Sequence, residues 1–145
     1  MSLKDLYLET LRLSDAREHD AFLGRFTDDV AWIVPGAQLS GKAEVAEWLR
    51  PFWSAFSSYR HEITRLVEVD DTVIAEGTFI GVHDGPMPTP MGELAPTNRE
   101  VRFDFVMIAA GDPVAELASS VRLYCDQLEF LGQVGPLPQP DVAAA

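Results

Sequence analysis

Apolar positions follow a helical period early in the chain and a period of two from Tyr59 onward. Leu3, Leu6, Tyr7, Thr10, Leu11 and Ser14 share one face and predict a helix over 3–14. A second short helix is predicted from Asp15 to Phe26, with Ala21, Phe22 and Phe26 as its apolar positions and Asp15 as its cap. Asp28-Asp29 breaks that pattern. Val30, Trp32 and Val34 then alternate with Ala31 and Ile33, which predicts a strand over 29–34 with two largely apolar faces, ended by Pro35-Gly36. After Gly41, a stripe of Val45, Leu49, Phe52, Trp53 and Phe56 predicts a helix over 42–57. Pro51 lies inside that stripe and predicts a kink or a break.

Residues 60–69 and 72–83 are two runs rich in Val, Ile and Thr joined by Asp70-Asp71, a hairpin pattern. Gly77 and Gly81 within the second run predict a bulge or strong curvature. Residues 83–100 carry four prolines and two glycines and predict a long loop between strands. A strand over 101–109 places Val101, Phe103, Phe105 and Met107 on one face. A turn at Gly111-Asp112-Pro113 leads to a last strand over 117–126. Helices come first and a strand meander last, the order of an α+β domain with helices on one face of a sheet. A glycine-bearing sheet that curls against a bent helix encloses a space, which predicts a pocket for a small apolar molecule.

Length and composition bound this picture. One domain over 1–137 accounts for nearly all of the 145 residues, and the tail over 138–145 is expected to be flexible. With 47% hydrophobic and 23% charged residues, the chain can bury a core. A net charge of −12 with no Lys/Arg cluster argues against nucleic acid and against an anionic membrane surface. The lone Cys125 excludes an internal disulfide and a multi-thiolate zinc site. Three histidines with no close His/Asp/Glu cluster argue against a metal. No phosphate-binding glycine loop is present, and no cofactor is expected. The segment MSLKDLYLETLRLSDAREHD has no apolar stretch like a signal peptide's, and no run reaches the length of a membrane span, so a cytoplasmic location is expected.

Several strings resemble the SnoaL-like, polyketide cyclase-like branch of the nuclear-transport-factor-two-like superfamily. They are FTDDVAWIVPG at 26–36, HEI at 61–63, VIAEGTFIGVHDGPMPTPMGELAPTNREVRF at 73–103 and VRLYCDQLEFLGQVG at 121–135. The last is the most specific, because this branch commonly closes with an aromatic-x-Asp followed by a Gln and a Gly, here Tyr124, Asp126, Gln133 and Gly135. The resemblance implies a cone-shaped, curved, mixed or antiparallel sheet wrapped by three to four helices, a cystatin-like α+β roll. It also implies a homodimer. It does not name a reaction, because this fold hosts cyclases, isomerases, hydrolases, dehydratases and non-enzymes.

Asp126 is the leading catalytic candidate, because the matching aspartate of the family's polyketide cyclases acts as a general base. A free carboxylate is too acidic for that task near neutrality, and burial among apolar groups such as Leu123, Cys125, Leu128 and Phe130 would correct it. The alternative is an aspartate that caps the DQLEFL turn. Alternation puts Arg122, Tyr124 and Asp126 on one face. His61 is the second catalytic candidate and His83 is a further titratable group. Val121 stands where relatives often carry a histidine. Trp32, Val34, Tyr59, Phe79, Phe103, Phe105 and Tyr124 are the candidate pocket lining, with plain core packing as the other reading of the aromatic residues. Glu62, Glu76 and Asp104 face either the pocket or solvent. Ketosteroid isomerases of this fold carry a base before the proline, where Val34 stands here. The epoxide hydrolases' last-strand Asp could be matched by Asp126, but Gly77 and Phe79 stand in place of their additional Arg and Asp, so that triad is not intact. Three functions remain open: an Asp126-dependent cyclase or isomerase, a non-catalytic binder of a small ligand, and a dimerisation module.

Overall fold

The computed structural model describes residues 1–90 and 92–135. The tail expected over 138–145 lies outside the described residues. The elements run α1 (Leu3–Asp15), α2 (His19–Leu23), β1 (Phe26–Val34), β2 (Ala37–Ser40), α3 (Lys42–Ala55), β3 (Tyr59–Val69), β4 (Thr72–Val82), β5 (Met87–Thr89), β6 (Gly92–Leu94), β7 (Glu100–Asp112), β8 (Leu117–Cys125) and α4 (Gln127–Val134).

A capping box starts α1. The Ser2 hydroxyl accepts from the Asp5 amide, and the Asp5 carboxylate accepts from the Ser2 amide. The predicted stripe of α1 is buried at Leu3, Leu6, Tyr7 and Thr10, joined by Leu13. The second helix is shorter than its pattern predicts. Asp15 does not cap it; it ends α1, and Phe26 already belongs to β1. The third helix runs through Pro51 as one element.

Six strands form one curved sheet in the order β2-β1-β8-β7-β4-β3, and β5 and β6 form a separate two-stranded ribbon. The neighbours are antiparallel except β1 and β8, which are parallel. The sheet is therefore mixed, and with its helices it makes the α+β roll expected. The predicted hairpin turns at Asp70, which takes a positive φ of 53°. Its bulge falls on β3 rather than on the glycine strand. Ile63 pairs with Gly77 and Arg65 with Glu76, so Thr64 is the extra residue. A Cβ on Gly77 would collide with the Glu62 carbonyl oxygen and approach Phe105 to 3.1 Å.

The long loop holds more order than its prolines suggest. Within it β5 and β6 pair, Met87 is buried, and Asp84 and Gly85 donate amides to the Ala55 carbonyl at the end of α3. Three apolar clusters lie along the inner face of the sheet. Val30, Trp32, Val34, Val45 and Val121 fill the β1/β8 side. Phe56, Phe79, Phe103, Phe105 and Phe130 fill the centre and the α4 end. Leu3, Leu6, Tyr7, Val73 and Ala75 seat α1.

Candidate functional site

These clusters do not close on one another. Between the sheet's inner face and the helices α1, α2 and α3 lies a cavity of about 130 Å³. Trp32, Tyr59, Phe79, Phe103 and Phe105 line it, as the alternation along β1, β3, β4 and β7 requires. Phe22, Phe26, Trp48, Phe52 and Trp53 complete an aromatic wall, with Met107, Val121 and Leu123 at the floor. A space of this size and lining resembles apolar cavities of about 150 Å³ that hold benzene.

Two expected lining residues lie elsewhere. Val34 is buried in the β1/β8 cluster beside Val45, outside the cavity wall. Tyr124 is 51% exposed on the opposite side of the sheet. The reason is the pleat. Arg122, Tyr124 and Asp126 do share a face, but it is the outer one, and Val121 and Leu123 point into the cavity. Glu62, Glu76 and Asp104 are likewise exposed on the outside, where Asp104 accepts from the Thr78 hydroxyl at 2.7 Å.

Asp126 stands at the N-cap of α4. Its Oδ1 accepts from the Leu128 amide at 2.9 Å and the Glu129 amide at 3.2 Å, and the residue is exposed. The expected base therefore sits outside the cavity, in the capping role that was its alternative. A carboxylate holding two orphan amides at a helix start is stabilised there, and β8 delivers it to the outer face.

Five side chains with a hydroxyl or an imidazole lie on the cavity wall, Tyr7, Thr10, Ser14, Tyr59 and His61, and Trp32 adds an indole Nε1 without a partner. Thr10 donates back to the Leu6 carbonyl at 2.7 Å, and the Tyr7 hydroxyl reaches the Met107 sulfur at 3.5 Å. Burial holds the Tyr7 phenol well above its ordinary range. Two more are on β3. His61 Nδ1 lies 2.6 Å from Asp15 Oδ1, and the His61 backbone amide donates to Asp15 Oδ2 at 3.1 Å. Tyr59 Oη lies 3.2 Å from Ser14 Oγ, itself on the wall. Two consecutive residues at the end of α1 thus each hold one inward-facing residue of β3. In the neutral ring a carboxylate against Nδ1 favours the tautomer with the proton on that nitrogen, which leaves Nε2 as the acceptor. The rings of Phe79 and Phe105 pack edge-on to His61 with centroids 5.5 and 5.6 Å away.

The other histidines lie off the cavity wall. His83 is fully buried, with Nδ1 3.0 Å from the Thr97 hydroxyl and Nε2 without a partner. His19 stacks on Trp53 at 3.9 Å between centroids. Burial lowers the proton affinity of both rings. Among the described residues, no three His, Cys, Asp or Glu side chains converge as a metal ion would require. No helix among them is long and apolar enough to cross a membrane.

Residues 7–110 match the SnoaL-like domain family. The chain belongs to that family. Solved structures agree on the fold of this SnoaL-like domain. AclR of Streptomyces galilaeus, described as a candidate hydroxylase, superposes with a TM-score of 0.78 at 18% identity, over 93% of this chain and 96% of its own. A candidate polyketide cyclase of Pseudomonas putida gives 0.73 at 19% identity, over 93% and 99%. TerC co-crystallised with polyporic acid gives 0.68 at 18% identity, over 90% and 95%. No curated protein sequence matches the chain. The different chemistries named among these relatives leave the site itself to argue the reaction.

The sequence reading missed Asp15 as a site residue, because it assigned Asp15 to a helix cap. The available signal was Ser14, a hydroxyl at the end of an otherwise buried stripe, followed at once by a carboxylate.

Proposed function

We propose that this SnoaL-like domain is a cofactor-independent acid–base enzyme acting on a small apolar carbonyl compound, with His61 as the base and Asp15 as the residue that orients it. The observation that carries this reading is the 2.6 Å contact between His61 Nδ1 and Asp15 on the wall of an otherwise apolar cavity. Imidazole is the side chain that gives and takes a proton near neutral pH, and a carboxylate on one nitrogen fixes the tautomer that leaves the other basic. In the proposed step, Nε2 takes a proton from the carbon next to the substrate carbonyl. The C–H electron pair moves into a carbon–carbon double bond and the carbonyl becomes an enolate. The imidazolium then returns the proton to carbon, at the same or a different position, or the enolate carbon attacks a second carbonyl and closes a ring, and the alkoxide formed from that carbonyl takes the proton back from the imidazolium.

Exchange of the acetophenone methyl protons for deuterium in D2O, followed by proton NMR, tests the first half of this chemistry. The wild-type protein should accelerate the exchange. His61→Gln should lower that acceleration by roughly 100-fold or more, the scale of a lost general base. Asp15→Asn should also lower it, because the amide no longer favours the required tautomer. Exchange that survives His61→Gln at the wild-type rate sinks the assignment, and so does its absence with the wild-type protein across a panel of one-ring ketones.

A further inference from the structure

Among the polar groups on the cavity wall that this reading leaves unused, one stands beside His61. Tyr59 lies two residues before His61 on β3, so both side chains project from the same face. Their rings meet edge to face at 90° with centroids 5.8 Å apart. The phenol reaches Ser14, and either hydroxyl of that pair can be the donor. When Ser14 donates to Tyr59, the phenol O–H is free to turn toward the cavity. Burial raises the proton affinity of the phenol, against the opposing pull of Ser14, so its hydroxyl remains a donor near neutral pH.

We infer that Tyr59, backed by Ser14, is a second catalytic residue that donates a hydrogen bond to the substrate's carbonyl oxygen, and that the cavity takes a neutral, one-ring ketone or enone. This rests on the acid–base reading of His61. Charge developing on the oxygen as His61 removes the proton would be met by a donor already in place. The ligand class follows from the wall. Among the described residues no lysine or arginine lines the cavity, so nothing there would compensate a carboxylate or phosphate. The volume of about 130 Å³ fits a single substituted ring.

Acetophenone and 2-phenylpropene form a matched pair of probes, since one bears a C=O where the other bears a C=CH2. All three tryptophans of the chain line the cavity, and their fluorescence reports binding of either. Wild-type protein should bind acetophenone in preference to the hydrocarbon relative to their water-to-cyclohexane partitioning. Tyr59→Phe should weaken acetophenone about tenfold, the scale of one neutral hydrogen bond, and leave 2-phenylpropene unchanged. Ser14→Ala, which leaves the ring packing intact, should weaken acetophenone in the same direction by less.

An unmoved affinity ratio in both variants overturns the proposal. So does an equal loss for both probes, which would make Tyr59 a packing residue, and so does a wild-type protein that binds neither. The two readings fail separately. If the Tyr59 ratio shifts while His61→Gln keeps full exchange, the base assignment falls and the carbonyl contact stands. If His61→Gln abolishes exchange and the ratio does not shift, only Tyr59 loses its role.

Discussion

At Asp126 a carboxylate meets two backbone amides, and at Gln133 a side-chain amide meets a strand. Gln133 accepts from the Arg102 amide at 2.9 Å and donates to the Arg102 carbonyl at 2.8 Å, so it pairs with the backbone of β7 as a neighbouring strand would. Gly135 gives passage to Leu94 of β6, which lies 3.1 Å from where a Cβ would stand. The closing string over 121–135 thus fastens α4 to the sheet, and Phe130 and Val134 then seal the aromatic cluster. Asp126→Ala should therefore cost about 1 kcal/mol of stability in urea unfolding, as a lost N-cap does, and leave acetophenone exchange at the wild-type rate. A loss of exchange with unchanged stability would return Asp126 to the catalytic role. At this scale the sequence tells which residues share a face of β8. The cavity side of that face is set by pairing with β7, where Met107 opposes Leu123 and Val106 opposes Tyr124.

Among the elements, the β3–β4 hairpin positions the chemistry. Its bulge at Thr64 bends β3 just beyond His61, and the Thr64 hydroxyl donates to the Glu76 carbonyl at 3.0 Å across the hairpin. Gly77 lets the bulged strand come close. Gly77→Ala forces the Glu62 carbonyl to move and should destabilise the protein by roughly 1–3 kcal/mol, with exchange activity falling as His61 shifts. An alanine variant with the wild-type melting temperature would contradict the close approach. The hairpin, its turn and the need for glycine were legible from alternation and composition. The four-residue β2 was not, because so short a strand is held by its partner β1 and carries little pattern of its own. The β5–β6 ribbon was hidden by Pro86, Pro88 and Pro90, since prolines argue against strands and an edge ribbon tolerates them.

For the molecule as a whole, the buried His83 and the half-buried His19 couple folding to pH. An unfolded histidine titrates near about 6.5. Burial makes His83 and His19 poorer proton acceptors in the folded protein. Below about pH 6.5 the unfolded chain therefore takes up protons that the folded chain resists, and stability declines; above that pH the contribution is fully present. Melting temperatures should fall between pH 7 and pH 5, and His83→Gln should flatten that slope. An equally steep slope in the variant would show that His83 does not contribute.

The sequence by itself determined the helix-first, meander-last order and the aromatic character of one sheet face, because each is written in local periodicity and turn chemistry; the parallel pairing of β1 with β8 that makes the sheet mixed was decided only by the tertiary structure. It also placed Tyr59 and His61 on one side of one strand. Only the tertiary structure decided that this side faces the cavity and that Asp126 faces away, because a period of two defines two faces without saying which is covered. Only the tertiary structure brought Ser14 and Asp15 to Tyr59 and His61, since those pairs lie 45 and 46 residues apart and meet through the seating of α1 on the sheet.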